Sequence, residues 1–191
     1  ENNFLFDSKI KLKNNSLLIG FLDYEKKEDL DSLILLKGTF DYKSLLSFDL
    51  INLKEKNNEI LIKGLNLNEN FKILNIENFN INYRNNKKII NNLNLKKVKS
   101  NFIIEGESFD ASRLINDIMD REDDSPSFFE NLNSKITIKI KKTYIDEVNY
   151  MNNLYGNINY ENNKISDLKL ESNFINEKKI NLSIETKNNS E

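Results

Sequence analysis

The sequence contains no histidine and no cysteine, which removes disulfides, thiolate chemistry, histidine-based triads and the commonest zinc and iron ligands, so the first candidates for chemistry are its clustered carboxylates. The cluster from Asp120 to Asp124 could offer carboxylate oxygens to a calcium ion. It lacks the alternating ligand spacing and the glycine of an EF-hand loop, which favours a plain acidic loop. Asp123–Asp124 and Asp146–Glu147 are adjacent carboxylate pairs. No glycine-rich phosphate loop, metal-ligand spacing or nucleophile elbow accompanies them, so the sequence predicts no enzyme, no catalytic residue, no metal and no cofactor.

Charge and hydropathy exclude two further classes of protein. The net charge is −2 with both signs interspersed, whereas nucleic-acid binding usually requires a basic face. The lysine-rich stretches 96–99 and 135–142 mostly alternate with apolar residues, which is typical of a solvated strand face. The longest apolar run, Leu33–Leu36, is far shorter than the roughly 20 residues of a membrane helix. The chain begins at Glu1 without an initiator methionine, which is typical of a trimmed or processed piece.

The elements that must position any functional residue are predominantly strands. Ile136, Ile138 and Ile140 alternate with polar residues in the clearest example, and Asn-rich turns separate it from similar runs. A register change near Lys96–Lys97 predicts a break within the run 89–105. The charged stretch Glu25–Asp31 predicts a solvated connection. The predicted strands cover 4–12, 17–24, 33–40, 46–50, 60–67, 71–83, 89–105, 136–140, 154–160, 168–174 and 180–184.

Residues 106–121 depart from this pattern and predict one short helix. Leu114, Ile115, Ile118 and Met119 share one side of a 3.6-residue helix. Asp110 is a good N-cap, since its carboxylate can accept from the free backbone N–H groups of the first turn. The chain therefore divides into a strand segment 1–105, a helix and acidic loop 106–130, and a strand segment 131–191. We expect the two strand segments to form one continuous groove.

The alternating strands require something to cover their apolar face. Burial from water contributes roughly 25 cal/mol per Å² of apolar surface, and one short helix cannot cover so many strands. Three solutions are open: a sandwich, a closed barrel, or an open trough filled by a ligand. The pattern by itself favours a sheet that covers its own apolar face, because most apolar strand faces are simply core. Only five glycines and one proline occur, however, so corner-turning points are few, which leans toward long, gently twisting strands in an open sheet. The predicted fold is mainly all-β, a long antiparallel meander forming a curved, twisted open sheet or groove with one short helix near 110–121.

The segment from Gly106 to Ile115 resembles the G-x-x-hydrophobic-D-A/L-S-x-L-L segment of AsmA-like proteins of the bacterial envelope. Its motif positions here are Gly106, Phe109, Asp110, Ser112 and Leu114. The strand succession of about residues 60–187 is similar as well, including the Leu154–Ile158 run, although Glu171 and Ser172 stand where that family has a glycine. Proteins of this kind belong to the wider bridge-like lipid-transfer group, long chains of repeated β-grooves anchored at the inner membrane.

This resemblance implies a non-enzymatic lipid-transport module at the periplasmic face of the bacterial inner membrane, active in outer-membrane biogenesis. The implied partners are a phospholipid or other acyl-chain lipid and the remainder of a larger, membrane-anchored chain; nucleic acid is not one. The alternative is a structural β-repeat of a surface or adhesin-like protein with a self-covered sandwich core. The residues expected to line the lipid groove are Val98, Phe102, Ile104, Ile136, Ile138, Ile140, Leu168, Leu170, Ile180, Leu182 and Ile184.

Overall fold

The computed structural model describes residues 3–41, 45–113, 115, 129–174 and 176–185. Within these ranges the chain is built almost entirely of strands, as the alternation predicts. The strands are β1 (Asn3–Leu12), β2 (Leu17–Ile19), β3 (Tyr24–Lys26), β4 (Ser32–Asp41), β5 (Leu45–Glu55), β6 (Asn58–Leu67), β7 (Ile73–Asn75), β8 (Asn78–Arg84), β9 (Ile90–Val98), β10 (Asn101–Asp110), β11 (Ser134–Tyr144), β12 (Tyr150–Glu161), β13 (Lys164–Phe174) and β14 (Lys179–Glu185).

Twelve strands form one open sheet, which confirms the predicted fold class. Eleven lie side by side in the order β1-β4-β5-β6-β8-β9-β10-β11-β12-β13-β14, and β7 adds to β6. The path is linear, with β1 and β14 at opposite edges, so the sheet does not close into a barrel. A separate pair, β2 and β3, forms a small hairpin.

One pair of neighbours in the sheet departs from the expected antiparallel meander. β10 and β11 are parallel, with Phe102 opposite Ile136. Parallel neighbours need a long crossover, and the connection from 111 to 133 supplies it. The strand segments before and after this connection therefore join in one sheet through the β10–β11 pair.

The start of the connection carries the predicted helix cap. The Ser112 backbone N–H donates to Asp110 Oδ1 over 3.0 Å, and the Ile115 N–H donates to the Ala111 carbonyl over 2.9 Å. Ser112, Arg113 and Ile115 are helical. Gly106 and Phe109 lie before the helix, in β10. The remainder of the predicted helix, with Leu114, Ile118 and Met119, and the acidic loop from Asp120 onward lie outside the described residues.

Three stretches differ from the predicted strands because of turns that the alternation does not reveal. Residues 17–24 form β2, a 3₁₀ turn (Gly20–Leu22) and the start of β3, since Asp23 adopts a left-handed conformation (φ 51°) that reverses the chain. The run 71–83 divides into β7 and β8. The break in 89–105 falls at Lys99–Ser100, after the predicted position, with Lys99 at φ 58°.

Candidate functional site

The strand register gives the sheet one continuous apolar face. Directly opposed residues of neighbouring strands point to the same side of a sheet, so a line of opposed pairs defines a face. One such line crosses all eleven strands of the path. Apart from a serine at one edge and a glycine in β12, every member is apolar. This line, the apolar row, consists of Ser8, Leu36, Ile51, Ile62, Phe79, Leu95, Ile104, Ile138, Gly156, Leu170 and Leu182.

Ten of the eleven residues expected to line a groove lie on this apolar face. Ile104, Ile138, Leu170 and Leu182 belong to the apolar row itself. A neighbouring line joins Phe102, Ile136, Ile158, Leu168 and Ile184 through successive pairs. Ile140 and Ile180 follow by alternation along β11 and β14.

The register places Val98 on the opposite side of the sheet. Val98 pairs with Asn101, whereas Phe102 pairs with Lys97. The two-residue turn at Lys99–Ser100 shifts the phase, so Val98 and Phe102 point to different faces although both numbers are even. This opposite side of the sheet, on which Val98 and its partner Asn101 lie, is called the polar face. Val98 is 41% exposed there.

The hairpin of β2 and β3 packs on the central part of the apolar face and covers about half of it. This segment, Leu17–Lys26, is called the cap hairpin. Its Leu22 and Tyr24 pack in one buried cluster with Leu53, Ile60 and Ile81, which come from three neighbouring strands of the sheet. The cluster has the composition of an ordinary core, and this half of the apolar face is covered by protein.

Other segments of the chain cover the remaining part of the centre of the apolar face. Ile76, which follows β7, forms a buried cluster with Leu65 and Phe102. Phe129 and Leu132, from the end of the long connection, pack against the same cluster. Phe79 contacts both buried clusters, so the two covers meet above β8.

The two flanks of the apolar face are less covered than its centre. Apolar side chains with more than a third of their surface exposed occur on this face at both edges of the sheet. At the first edge they are Phe4 (55%), Ile10 (41%) and Phe40 (42%), and at the other they are Phe174 (38%), Leu182 (49%) and Ile184 (46%). The apolar face is therefore a protein core in the middle and a solvent-exposed apolar surface at both sides.

A buried polar cluster ties the cap hairpin to the end of β10. Asp110 Oδ2 accepts from Asn85 Nδ2 (2.9 Å) and lies 3.3 Å from Lys87 Nζ. Burial alone would raise the pKa of Asp110, but hydrogen bonds from Ser112 and the charge of Lys87 hold that pKa below its ordinary value. Lys87 also pairs with Asp23 of the cap hairpin at 3.9 Å. Asp110, whose carboxylate was predicted to cap the helix, therefore also anchors the cap hairpin through Lys87.

Two tyrosines add buried contacts between the cap hairpin and the sheet. The Tyr24 hydroxyl donates to Glu55 Oε2 over 2.8 Å, and the Tyr83 hydroxyl donates to the Leu22 carbonyl. Their rings meet edge to face at 5.3 Å. Burial raises the pKa of both hydroxyls far above the ordinary value, with the charge of Glu55 adding to the effect for Tyr24. Both therefore remain protonated donors, which fixes the direction of these hydrogen bonds.

Lys26 corrects the expectation that Glu25–Asp31 is fully solvated. Its side chain is 0% exposed, and its ammonium donates to the carbonyls of Lys13 (3.2 Å), Asn15 (2.5 Å) and Lys27 (2.9 Å). A buried ammonium is tolerated when its donors are satisfied, and here three turn carbonyls do so. One signal in the sequence indicated that Lys26 is buried: it follows Tyr24 by two residues, so in a strand both side chains point to the same, inward side.

The described part of the chain was compared with the residue groupings that metal sites and membrane helices need. None of its residues forms a group of three or more His, Cys, Asp or Glu side chains that could hold a metal ion. No helix among the described ranges is long and apolar enough to cross a membrane. The main feature of the fold is an open β-sheet with one long, partly exposed apolar face. Comparison with protein-family models, with curated proteins and with solved structures finds no match to this chain.

Proposed function

We propose that this chain is a non-enzymatic lipid-binding module whose apolar face accepts the acyl chains of a phospholipid. The observation that carries the proposal is the apolar row, which continues on one side of the sheet from β1 to β14. An isolated core needs apolar side chains only where another layer packs. This row extends to strands at both edges, where apolar side chains are about half exposed.

The dimensions of the sheet suit an acyl chain. Neighbouring strands are about 4.8 Å apart, so a row across eleven strands extends for roughly 48 Å. One leaflet of a bilayer has a hydrocarbon thickness of about 15 Å, half of the roughly 30 Å core. Either flank together with the adjoining strands therefore offers enough length for an extended acyl chain lying across the strands.

The AsmA-like resemblance of the segment from Gly106 to Ile115 supplies the cellular setting of the proposal. In that setting the chain is part of a larger protein anchored in the inner membrane. It faces the periplasm and contributes to phospholipid transport for outer-membrane biogenesis. Asp110 fits such a role as a structural residue, because it caps the helical turn and anchors the cap hairpin beside the groove.

The test is lipid retention by the purified chain from a bacterial host, measured by native mass spectrometry with extraction of the bound lipid. The informative variant is Leu182→Lys with Ile184→Lys, because both residues are about half exposed on the apolar face of β14. Covering the exposed half of each side chain with lipid contributes about 1 kcal/mol. Losing both contributions should weaken phospholipid binding roughly 30-fold.

The control is Asn181→Lys, which places a lysine in the same strand, next to Leu182, but on the polar face, opposite Glu171. We expect it to retain phospholipid as the unmodified chain does. A lipid-free unmodified chain, or equal retention by the apolar-face variant and the control, would overturn the proposal. Circular dichroism of both variants checks that the sheet remains folded.

A second candidate function is a structural β-repeat of a surface or adhesin-like protein. The observation that favours it is the closure of both buried clusters by the chain's own segments, the cap hairpin on one side and the segment around Ile76 with Phe129 on the other. If this is the function, the chain should be lipid-free. The Leu182→Lys and Ile184→Lys substitutions should then leave its stability within about 0.5 kcal/mol, as is usual for surface positions.

A further inference from the structure

Independently of lipid binding, the polar face of the sheet carries a concavity that we propose is a binding site for a neutral saccharide. The concavity has a volume of about 550 Å³ and extends over β9 to β12. The concavity is shallow and wide open to solvent, so it differs from the enclosed pockets that bury most of a small ligand. Its lining includes Asn92, Asn94, Glu105, Lys139 and Tyr155, all on the polar side of their strands.

Two strands beneath the concavity, β10 and β12, are irregular at the same level of the sheet, on either side of β11. The pairing of β10 with β9 shifts between Gly106 and Ser108. The pairing of β12 with β13 shifts between Asn152 and Tyr155. Bulges bend and twist a sheet locally and are frequent beside functional sites. The two irregularities flank β11 and bend the sheet there, and we call this bend the crease; the concavity lies on its polar side.

Two backbone positions show that this crease is specified by the sequence. A Cβ atom on Gly106 would lie 2.2 Å from the Asn92 carbonyl oxygen, so only glycine lets the strands approach this closely. Asn153 adopts a left-handed conformation (φ 54°), which asparagine tolerates better than most residues. Such backbone outliers persist where the surrounding structure requires them, and they often mark binding sites.

The charges in the concavity are internally neutralised. Glu105 pairs with Lys139 at 3.3 Å, and Glu107 pairs with Lys141 at 2.8 Å. Neither an isolated cation for a phosphate nor a free carboxylate cluster for a metal ion is therefore present at this site. A ligand that carries a net charge would have to compete with one of these pairs. The site consequently favours a neutral ligand rich in hydrogen-bonding groups.

The remaining groups match a sugar ring. Tyr155 is 51% exposed and offers an aromatic face, on which the apolar C–H face of a pyranose can stack. The side-chain amide of Asn92 has no hydrogen-bond partner among the described residues, so both its donors and its acceptor are available. Asn94 Oδ1 accepts from Asn78 over 2.7 Å, which leaves the Asn94 amide N–H groups as donors to hydroxyls.

The test is titration of the purified chain with a panel of neutral disaccharides: cellobiose, maltose and N,N′-diacetylchitobiose. Binding is followed by isothermal titration calorimetry and by amide chemical shifts of β9 to β12. We expect one member of the panel to bind and to shift amides of these strands. Tyr155→Ala should weaken that binding about tenfold, the equivalent of roughly 1.4 kcal/mol. Asn92→Leu should weaken it similarly because it removes the free amide.

The control is Phe71→Ala, which removes a more exposed aromatic side chain (74%) outside the concavity. It should bind the disaccharide as the unmodified chain does. Absence of binding by all three disaccharides at about 10 mM, roughly the weak limit of specific recognition, would overturn the proposal. Binding that survives Tyr155→Ala unchanged, or that shifts amides of other strands, would overturn it as well.

Discussion

The hydrogen bond between Tyr24 and Glu55 gives a quantitative test of how the cap hairpin is held on the sheet. Both residues are nearly inaccessible, at 1% and 4% exposure, and the donor and acceptor oxygens are 2.8 Å apart. Tyr24→Phe removes only the hydroxyl and leaves the ring contact with Tyr83. The Glu55 carboxylate then keeps one longer contact, with Asn58 Nδ2 at 3.4 Å.

The expected loss follows from the chemistry of the pair. A hydrogen bond to a charged group contributes about 1.5–3 kcal/mol, and a buried acceptor left unsatisfied costs its desolvation as well. We therefore expect Tyr24→Phe to lower the free energy of unfolding by about 2 kcal/mol. For a chain of this length that corresponds to a decrease in Tm of roughly 4–8 °C. Urea unfolding and a thermal scan by circular dichroism measure both quantities.

The control substitution is Tyr155→Phe, which removes a tyrosine hydroxyl that is exposed on the polar face. It should change the free energy of unfolding by less than about 0.5 kcal/mol. A double-mutant cycle with Glu55→Met, which removes both acceptor oxygens at similar side-chain size, isolates the pairwise energy, which should exceed about 1 kcal/mol for a contact of this kind. If Tyr24→Phe has the same stability as Tyr155→Phe, the cap hairpin is not held by this hydrogen bond and our reasoning about it fails.

Three further substitutions test other parts of the structure. Gly38→Ala should destabilise the chain by about 1–3 kcal/mol in urea unfolding, since the added Cβ would lie 2.0 Å from the Ser47 carbonyl oxygen. Gly20→Ala should be nearly neutral, because its nearest neighbour is the mobile end of Arg113 at 3.4 Å; equal effects would contradict this account. Asp110→Asn should be less stable than the unmodified chain at pH 7, since the lowered pKa of Asp110 means that its carboxylate stabilises the fold whenever ionised. That difference should persist above the ordinary pKa of about 3.9 and disappear as the pH falls through the lower folded-state pKa; a pH-independent difference would be inconsistent with an ionic role.

The alternation of apolar and polar residues was sufficient to predict the strands and the face of most of them. Ile136, Ile138 and Ile140 alternate along one strand, and the structure places all three on the apolar face. The cap at Asp110 was also predictable, since a carboxylate two residues before a free backbone N–H is a local feature. Both predictions depend on interactions within a few residues of the chain.

The features that sequence reasoning missed depend on turns and on distant partners. Val98 was assigned to the wrong side of the sheet because the turn at Lys99–Ser100 shifts the phase of alternation by one residue. Lys26 was interpreted as solvated because its charge is visible in the sequence, whereas the three carbonyls that satisfy it are brought together only by the fold. The parallel pairing of β10 with β11 was not predicted, because the length of the connection between them does not show whether the chain crosses back to the end of the sheet where β10 begins.

That single parallel pair has a consequence for the directions of the two outer strands. Along the path of eleven strands every step reverses the chain direction except the one from β10 to β11. Ten reversals would leave β1 and β14 pointing the same way, whereas nine leave them pointing in opposite directions. If two such sheets were placed edge to edge with their apolar faces on the same side, β14 of one would meet β1 of the next in an antiparallel orientation. The pairing rule that holds nearly all of this sheet together would then also apply at the junction, and the apolar face would continue across it without changing sides.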